Sequence, residues 1–391
     1  MTFSGTLRQE NEDIIPEAKN MTDKHQTIPF NTLTPLFKKH SKEYEETALR
    51  VLRSGWYIMG PELEAFEAEF GEYVGSGNCI GVNSGLDALT LALKALGVEP
   101  GDEVIVQANT YIATVLAITA NNATPVFVEP DEYHGLDPQM LGKAITKRTK
   151  AIMAVHLYGQ PCDMRSISEI TNQAGIPLIE DCAQSHGATF AGKMTGTFGV
   201  MGCFSFYPTK NLGAFGDAGA VVTDDKILAE RIRVLRNYGS KIKYQNEIEG
   251  VNSRLDEIQA ALLRVRLNHL EEILTEREAI AKQYLEGIIN PLVKLPKVRP
   301  DSRHTWHQFV IKCNQRDKLQ KWLKKSGIQT QIHYPIPPYL SKAYESLSLK
   351  KGSYPKTEDF SNTILSLPLF NSILEIDLDR IIASVNQFFV K

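Results

Sequence analysis

Apolar side chains recur at three- and four-residue spacing from Phe37 to Leu52, through Tyr44, Ala48 and Val51, and Ser54-Gly55 ends the run. One amphipathic helix is predicted there. A second is predicted from Pro61, where proline suits the first helical turn. Leu63, Phe66, Phe70 and Tyr73 carry its apolar face, and Gly75 and Gly77 stop it. Beyond Gly77 the period changes, and short β-rich runs alternate with helical ones at 78–82, 88–96, 104–107, 114–120 and 126–129. Four further strand candidates follow at 151–155, 177–180, 202–206 and 219–223, separated by Gly, Pro and Asp. This alternation predicts an α/β fold: a large, mostly parallel sheet covered by helices on both faces, with ligands at the carboxyl ends of its strands. One long linking helix is predicted from Leu255 to about Leu285 on Ile258, Leu262, Val265, Leu270, Ile273 and Leu274. Prolines and short strand candidates such as 306–312 then predict a smaller α+β unit. The expected division is a flexible extension at 1–27, a large domain at 28–285 and a small domain at 286–391.

The 391 residues are 42% hydrophobic and 23% charged, a globular composition with material for one large or two medium cores. Forty-three basic residues against 46 acidic ones leave a net charge of −3. The chain therefore carries no overall footprint for nucleic acid or an anionic membrane, and an anionic ligand must be met locally. Its five cysteines, Cys79, Cys162, Cys182, Cys203 and Cys313, are scattered without a CxxC pair. Neither a disulfide framework nor a metal site is expected, and a reducing cytoplasm is. No apolar stretch reaches the length of a membrane span, and residues 1–24 lack an apolar signal core.

Three segments carry candidate chemistry. In Gly81-Val-Asn-Ser-Gly-Leu-Asp-Ala-Leu89 a predicted strand turns into a helix near Leu86. The free N–H groups of a helix start attract an anion, and Gly85 permits close approach of a phosphate, although a tight turn needs glycine for its own reasons. In Leu178-Ile-Glu-Asp-Cys-Ala-Gln184 an apolar strand delivers Asp181 to its carboxyl end, with Gln184 three residues on. Such a carboxylate can pair with a protonated heterocycle nitrogen, or simply cap a turn. In Cys203-Phe-Ser-Phe-Tyr-Pro-Thr-Lys-Asn-Leu-Gly213, Lys210 follows an aromatic strand, with Pro208 and nearby glycines fixing the backbone and Ser205 at the strand end. A lone loop lysine is usually a solvated charge. Together, in the order cradle, aspartate, lysine, the segments describe a pyridoxal phosphate (PLP) site: an anion cradle, a partner for the ring nitrogen and a lysine amine for the aldehyde.

The stretches NSGLDALTLAL, EDCAQSHGA, FSFYPTKNLGAFGDAGAVVT and GVNSRLDEIQAALLRVRL resemble, in order and spacing, the DegT/DnrJ/EryC1/StrS family of sugar aminotransferases, from about residue 28 onward. The resemblance implies a fold-type-I PLP-dependent aminotransferase that is a homodimer with shared active sites. It implies Lys210 as the Schiff-base lysine, Asp181 as partner of the pyridine nitrogen, Gln184 as donor to the phenolic oxygen and Ser205 as a phosphate ligand. Tyr111, in ANTYIAT, matches the aromatic that stacks on the ring, and Asn252, in GVNSR, the asparagine that reaches across the dimer to the phosphate. Many members read SGTDAL where this chain has Ser84-Gly-Leu-Asp-Ala-Leu89, so Leu86 offers only its backbone N–H.

The same resemblance implies two half-reactions, through the pyridoxamine phosphate (PMP) form, from L-glutamate to a keto sugar. A lysine at position 210 points away from the dehydratase branch, which carries histidine there. The FYPTKNLGAFGD stretch and Gln329-Thr-Gln-Ile-His-Tyr-Pro-Ile-Pro337 look like the branch acting at C3 of nucleotide-linked, dTDP-type 3-oxo-6-deoxyhexoses. Arg254, His333 and Tyr334 are then the expected substrate contacts. His156 and His186 are expected to support the site, and Arg236, Lys241 and Lys243 to face a diphosphate. The alternatives are a C4 or cyclitol aminotransferase of the same family and, in another class, a non-catalytic effector with this fold. An effector of that kind predicts a DNA-binding module or a damaged cofactor set.

Overall fold

The computed structural model describes residues 27–389. Of the expected extension only Thr27 falls among them, the rest lying outside the described residues.

A seven-stranded sheet forms the centre, in the order Asn78–Val82, Gly219–Thr223, Met201–Ser205, Leu178–Asp181, Thr149–Val155, Glu103–Gln107 and Thr124–Val128. The strand Gly219–Thr223 runs antiparallel to both neighbours, and every other pairing is parallel. Parallel strands are covered on both faces, so their side chains read as continuous apolar runs. Glu103–Gln107 (EVIVQ) is buried at all five positions, and Met201–Ser205 is buried at the first four. Helices Gly85–Ala95 and Ile112–Ala120 press Leu89, Leu93, Val115 and Ile118 onto one side. On another, Phe66 and Phe70 of helix Pro61–Val74 meet Phe204 and Phe206 edge-on, with ring centroids 5.0–5.4 Å apart. Truncating one such phenylalanine to alanine costs about 3–5 kcal/mol.

Two predicted helices prove to be broken. The run from Phe37 is two helices, Thr34–Lys39 and Ser41–Ser54, joined at His40. The long linking helix is Glu257–Asn268 followed by Leu270–Gly287, joined at His269. Neither junction contains glycine or proline, so the apolar phase runs on through a turn that tertiary packing imposes. Helix Leu270–Gly287 spans two cores. Leu270 and Leu274 pack with the phenylalanine cluster, whereas Ile280 and Tyr284 pack with Phe309, Leu323, Leu365 and Ile381. That second core is built on an antiparallel pair, Phe309–Lys312 with Ile364–Leu367. The strand expected at 306–312 thus begins at Phe309, because Trp306 occupies a left-handed backbone conformation with φ 50°. Among the described residues, no helix is long and apolar enough to cross a membrane.

Candidate active site

A cavity of about 660 Å³ opens at the carboxyl ends of the parallel strands, where an α/β sheet presents its loops to a ligand. Nine of the residues singled out in the sequence line it: Gly85, Leu86, Tyr111, Asp181, Gln184, Ser205, Lys210, His333 and Tyr334.

Each arrives there for a local reason. Ser84 caps helix Gly85–Ala95 by accepting the Asp87 N–H at 3.1 Å, leaving the Gly85 and Leu86 N–H groups at the helix start. A Cβ on Gly85 would lie 2.5 Å from the Ser205 Cβ, so only glycine lets this helix start sit against the strand end. Ser253 secures the turn from behind, donating to Asp87 Oδ2 at 2.6 Å and accepting from the Asn83 N–H at 3.1 Å.

Asp181, the last residue of its strand, is buried. Thr114 donates to its Oδ2 at 2.8 Å, the Ala183 N–H donates to Oδ1 at 3.1 Å, and Thr110 Oγ1 stands 2.7 Å from Thr114 Oγ1. Burial raises the carboxyl pKa, against the Thr114 and Ala183 bonds and the nearby Lys210 charge. Gln184 is oriented from both ends. Its Oε1 accepts the Tyr158 N–H at 2.7 Å, and its Nε2 donates to the Tyr334 hydroxyl at 3.1 Å. Tyr158 presents that N–H from a left-handed backbone conformation, φ 63°. The Tyr111 ring, 49% exposed, faces Tyr334 with centroids 5.0 Å apart.

Lys210 sits in a loop tied down on two sides. Arg266 donates to the Gly213 carbonyl at 3.0 Å and reaches the Lys210 carbonyl at 3.5 Å, and Asn211 donates to the Thr305 carbonyl at 2.8 Å. Desolvation at the cavity wall lowers the pKa of its amine from 10.5 to about 8 despite the charge of Asp181. His333 places Nδ1 2.7 Å from Ser366 Oγ, and burial lowers its pKa to about 4.

Asn252 and Arg254 are not in this cavity. Asn252 Nδ2 donates to the Tyr238 hydroxyl at 2.7 Å, and Arg254 donates to Asn237 Oδ1 at 3.2 Å while lying 5.5 Å over the Tyr238 ring. The diphosphate-facing trio is corrected in one member. Arg236 is buried, donating to Glu67 and to the Gly81 carbonyl, and is closed to any ligand. Lys241 pairs with Glu230 at 3.1 Å, and Lys243 lies over Tyr244. His156 is wholly buried, accepting the Cys162 N–H on Nδ1 and placing Nε2 2.9 Å from Glu180. Burial holds His186 neutral, its pKa lowered to about 3, against Phe204 and Phe206.

The sequence reading passed over Thr114, Thr110, Asp217 and His307. Asp217 and His307 line the cavity, and Arg277 holds the His307 carbonyl at 2.9 Å and the Trp306 carbonyl at 3.0 Å. The threonines did leave a trace: at spacing i, i+4 they share one face of the turn entering a helix.

The arrangement combines an anion cradle, a buried carboxylate and an amine poised near neutrality, with aromatic walls. The chain is 48% identical over 363 residues to a dTDP-3-amino-3,4,6-trideoxy-alpha-D-glucose transaminase of Streptomyces venezuelae, covering 92% of this chain and 96% of that protein. It is 49% identical over 362 residues to a dTDP-3-amino-3,6-dideoxy-alpha-D-galactopyranose transaminase of Aneurinibacillus thermoaerophilus, covering 92% and 99%. The crystal structure of S. venezuelae DesV in complex with a ketimine intermediate superposes with a TM-score of 0.91 at 48% identity, covering 93% and 98%. Similar solved structures include PLP and PMP forms. With the DegT/DnrJ/EryC1/StrS aminotransferase model matching residues 38–386, the chain belongs to that family of aminotransferases.

Proposed function

We propose that this chain is a PLP-dependent aminotransferase carrying an amino group from L-glutamate to the C3 keto group of a dTDP-linked 3-oxo-6-deoxyhexose. The observation that carries the reading is the convergence of Lys210, Asp181, Gln184, Ser205 and the Gly85 helix start on one cavity. These residues fit PLP. The Gly85 and Leu86 N–H groups and the Ser205 hydroxyl suit its phosphate, in a cradle that a Cβ on Gly85 would fill. Bound there, PLP supplies an electron-withdrawing ring that stabilises negative charge at the carbon next to the transferred amine.

The remaining work falls to side chains. Asp181, held by Thr114 and the Ala183 N–H, offers a buried carboxylate as the partner that a protonated ring nitrogen needs. The Gln184 amide, fixed by the Tyr158 N–H, directs its NH₂ into the cavity, and Tyr111 supplies a flat apolar wall. The Lys210 amine, with a pKa near 8, takes up and returns a proton at Nζ without a large driving force either way, as a general base at working pH requires. Leu86, Leu89, Ile112 and Leu116 line the apolar side of the same cavity.

The active unit is a homodimer in this reading. Leu49, Leu52, Trp56, Tyr57, Ile58 and Met59 form an exposed apolar strip suited to a second copy. Asn252, exposed and outside its own cavity, would exchange its bond to the Tyr238 hydroxyl for the partner's phosphate cradle. The reverse reaction tests the substrate assignment: PLP, 2-oxoglutarate and a dTDP-3-amino-3,6-dideoxyhexose should yield glutamate. Glutamate formed from the 4-amino isomer alone would overturn the C3 assignment.

A further inference from the structure

Outside the active site, the two helix breaks that the apolar pattern does not predict meet each other. His40 joins helices Thr34–Lys39 and Ser41–Ser54, and His269 joins Glu257–Asn268 and Leu270–Gly287. Their rings lie face to face, centroids 3.8 Å apart and planes inclined by 23°. Glu272 stands one turn beyond His269, with Oε2 4.0 Å from His40 Nε2 and 3.9 Å from His269 Nδ1. One ligand atom from each of the three residues lies within 4.8 Å of the others.

Two details separate this cluster from an ordinary charged surface. The His40 side chain is only 9% exposed, yet its Nε2 has no hydrogen-bond partner. A buried polar atom left this way calls for a reason. His269 Nε2, meanwhile, lies 3.1 Å from both carboxylate oxygens of Glu43. That contact puts the ring proton on Nε2 and turns the Nδ1 lone pair toward Glu272, the arrangement in which a carboxylate orients a metal-binding histidine.

We propose that His40, His269 and Glu272 bind a zinc-class divalent cation, with Glu43 as the positioning carboxylate behind His269. Two imidazoles and one carboxylate are the donor set of zinc and its neighbours rather than of magnesium or calcium, which take oxygen ligands. Glu272 is 47% exposed, so water completes the coordination. The rings as they stand direct their lone pairs side by side. Binding draws them to one point by tilting His269, the more exposed ring at 22%. Lys39, bonded to Glu272, is the competing occupant and must give way.

The cation would clamp the helices flanking His40 to those flanking His269. These elements back the loop of Lys210: Tyr44 packs on Phe215 at 4.9 Å, and Arg266 holds the Gly213 carbonyl. Stability should therefore rise with zinc by mass action.

The test is calorimetric titration of Zn²⁺ into the PLP-loaded protein, beside thermal melts with and without metal. One saturable site per chain is expected, with a higher melting temperature and no competition from excess Mg²⁺. His40→Gln and His269→Gln should each abolish it, and Glu43→Gln should weaken it about 10- to 100-fold. Lys39→Met should tighten binding by freeing Glu272. Metal-free melts and circular dichroism of each variant separate lost binding from lost folding, and the Lys39→Met gain cannot arise from misfolding. No saturable site in the wild type, or an unchanged site in the His40→Gln/His269→Gln double variant, would overturn the proposal.

Discussion

The Lys210 amine lines the cavity beside one buried carboxylate, and desolvation outweighs that partner, so its pKa falls from 10.5 to about 8. Between those two values the folded chain without cofactor binds fewer protons than the unfolded chain, and its stability rises with pH. Below pH 8 both states hold the proton and the burial penalty is present in full. The apo Lys210→Met variant should therefore melt above the apo wild type at neutral pH, with the gap closing as pH climbs from about 8 toward 10.5. A gap that stays constant across that window would contradict the buried-amine account. Thr114→Val removes a donor from buried Asp181 and should lower stability by about 1–3 kcal/mol in urea unfolding. Thr114→Ser should recover most of the loss, and a valine variant as stable as wild type would show that the bond contributes nothing. Asp181 and Ser205 were legible because strand runs end at them, and Lys210 because it follows one of those runs in a turn marked by Pro208 and nearby glycines. Thr114 was not, because a threonine inside an apolar run reads as helix filler until its hydroxyl partner, 67 residues away, is seen.

At the scale of elements, the helix start at Gly85 depends on contact with the strand end at Ser205. Gly85→Ala would place a Cβ 2.5 Å from the Ser205 Cβ, pushing the two apart at a cost of about 1–3 kcal/mol. Retention of PLP on gel filtration should fall at least about tenfold, since the displaced N–H groups are those proposed to meet the phosphate. Full retention would place the phosphate elsewhere. The strands themselves were plain in the sequence, because strands buried on both faces are unbroken β-branched runs. The breaks at His40 and His269 were not, since no glycine or proline marks them and the apolar phase continues across each. For the same reason the cluster they form, drawn from residues 229 positions apart, left no metal-ligand spacing to read. Arg236 misled in the opposite direction. A basic residue beside a polar loop suggests a phosphate contact, and only the fold reveals Glu67 and the Gly81 carbonyl around it.

For the whole molecule, the proposed homodimer rests on the exposed strip from Leu49 to Met59 and on the position of Asn252 outside its own cavity. If each site takes Lys210 from one subunit and Asn252 from the other, Lys210→Ala and Asn252→Ala proteins are separately impaired. Mixed and allowed to exchange, they should regain about a quarter of wild-type activity, because half the dimers carry one intact site of two. No recovery after proven exchange would place Asn252 in its own subunit's chemistry or in none. Beneath the assembly lies the claim that the cavity of Lys210 and Asp181 performs amino transfer, and one spectrum tests it most directly. The PLP-loaded wild type should show a visible cofactor band that bleaches on adding L-glutamate, and Lys210→Ala should fail to form the lysine-bound band. A wild-type protein that takes up no PLP, or a lysine-bound band that forms equally in Lys210→Ala, would contradict the account.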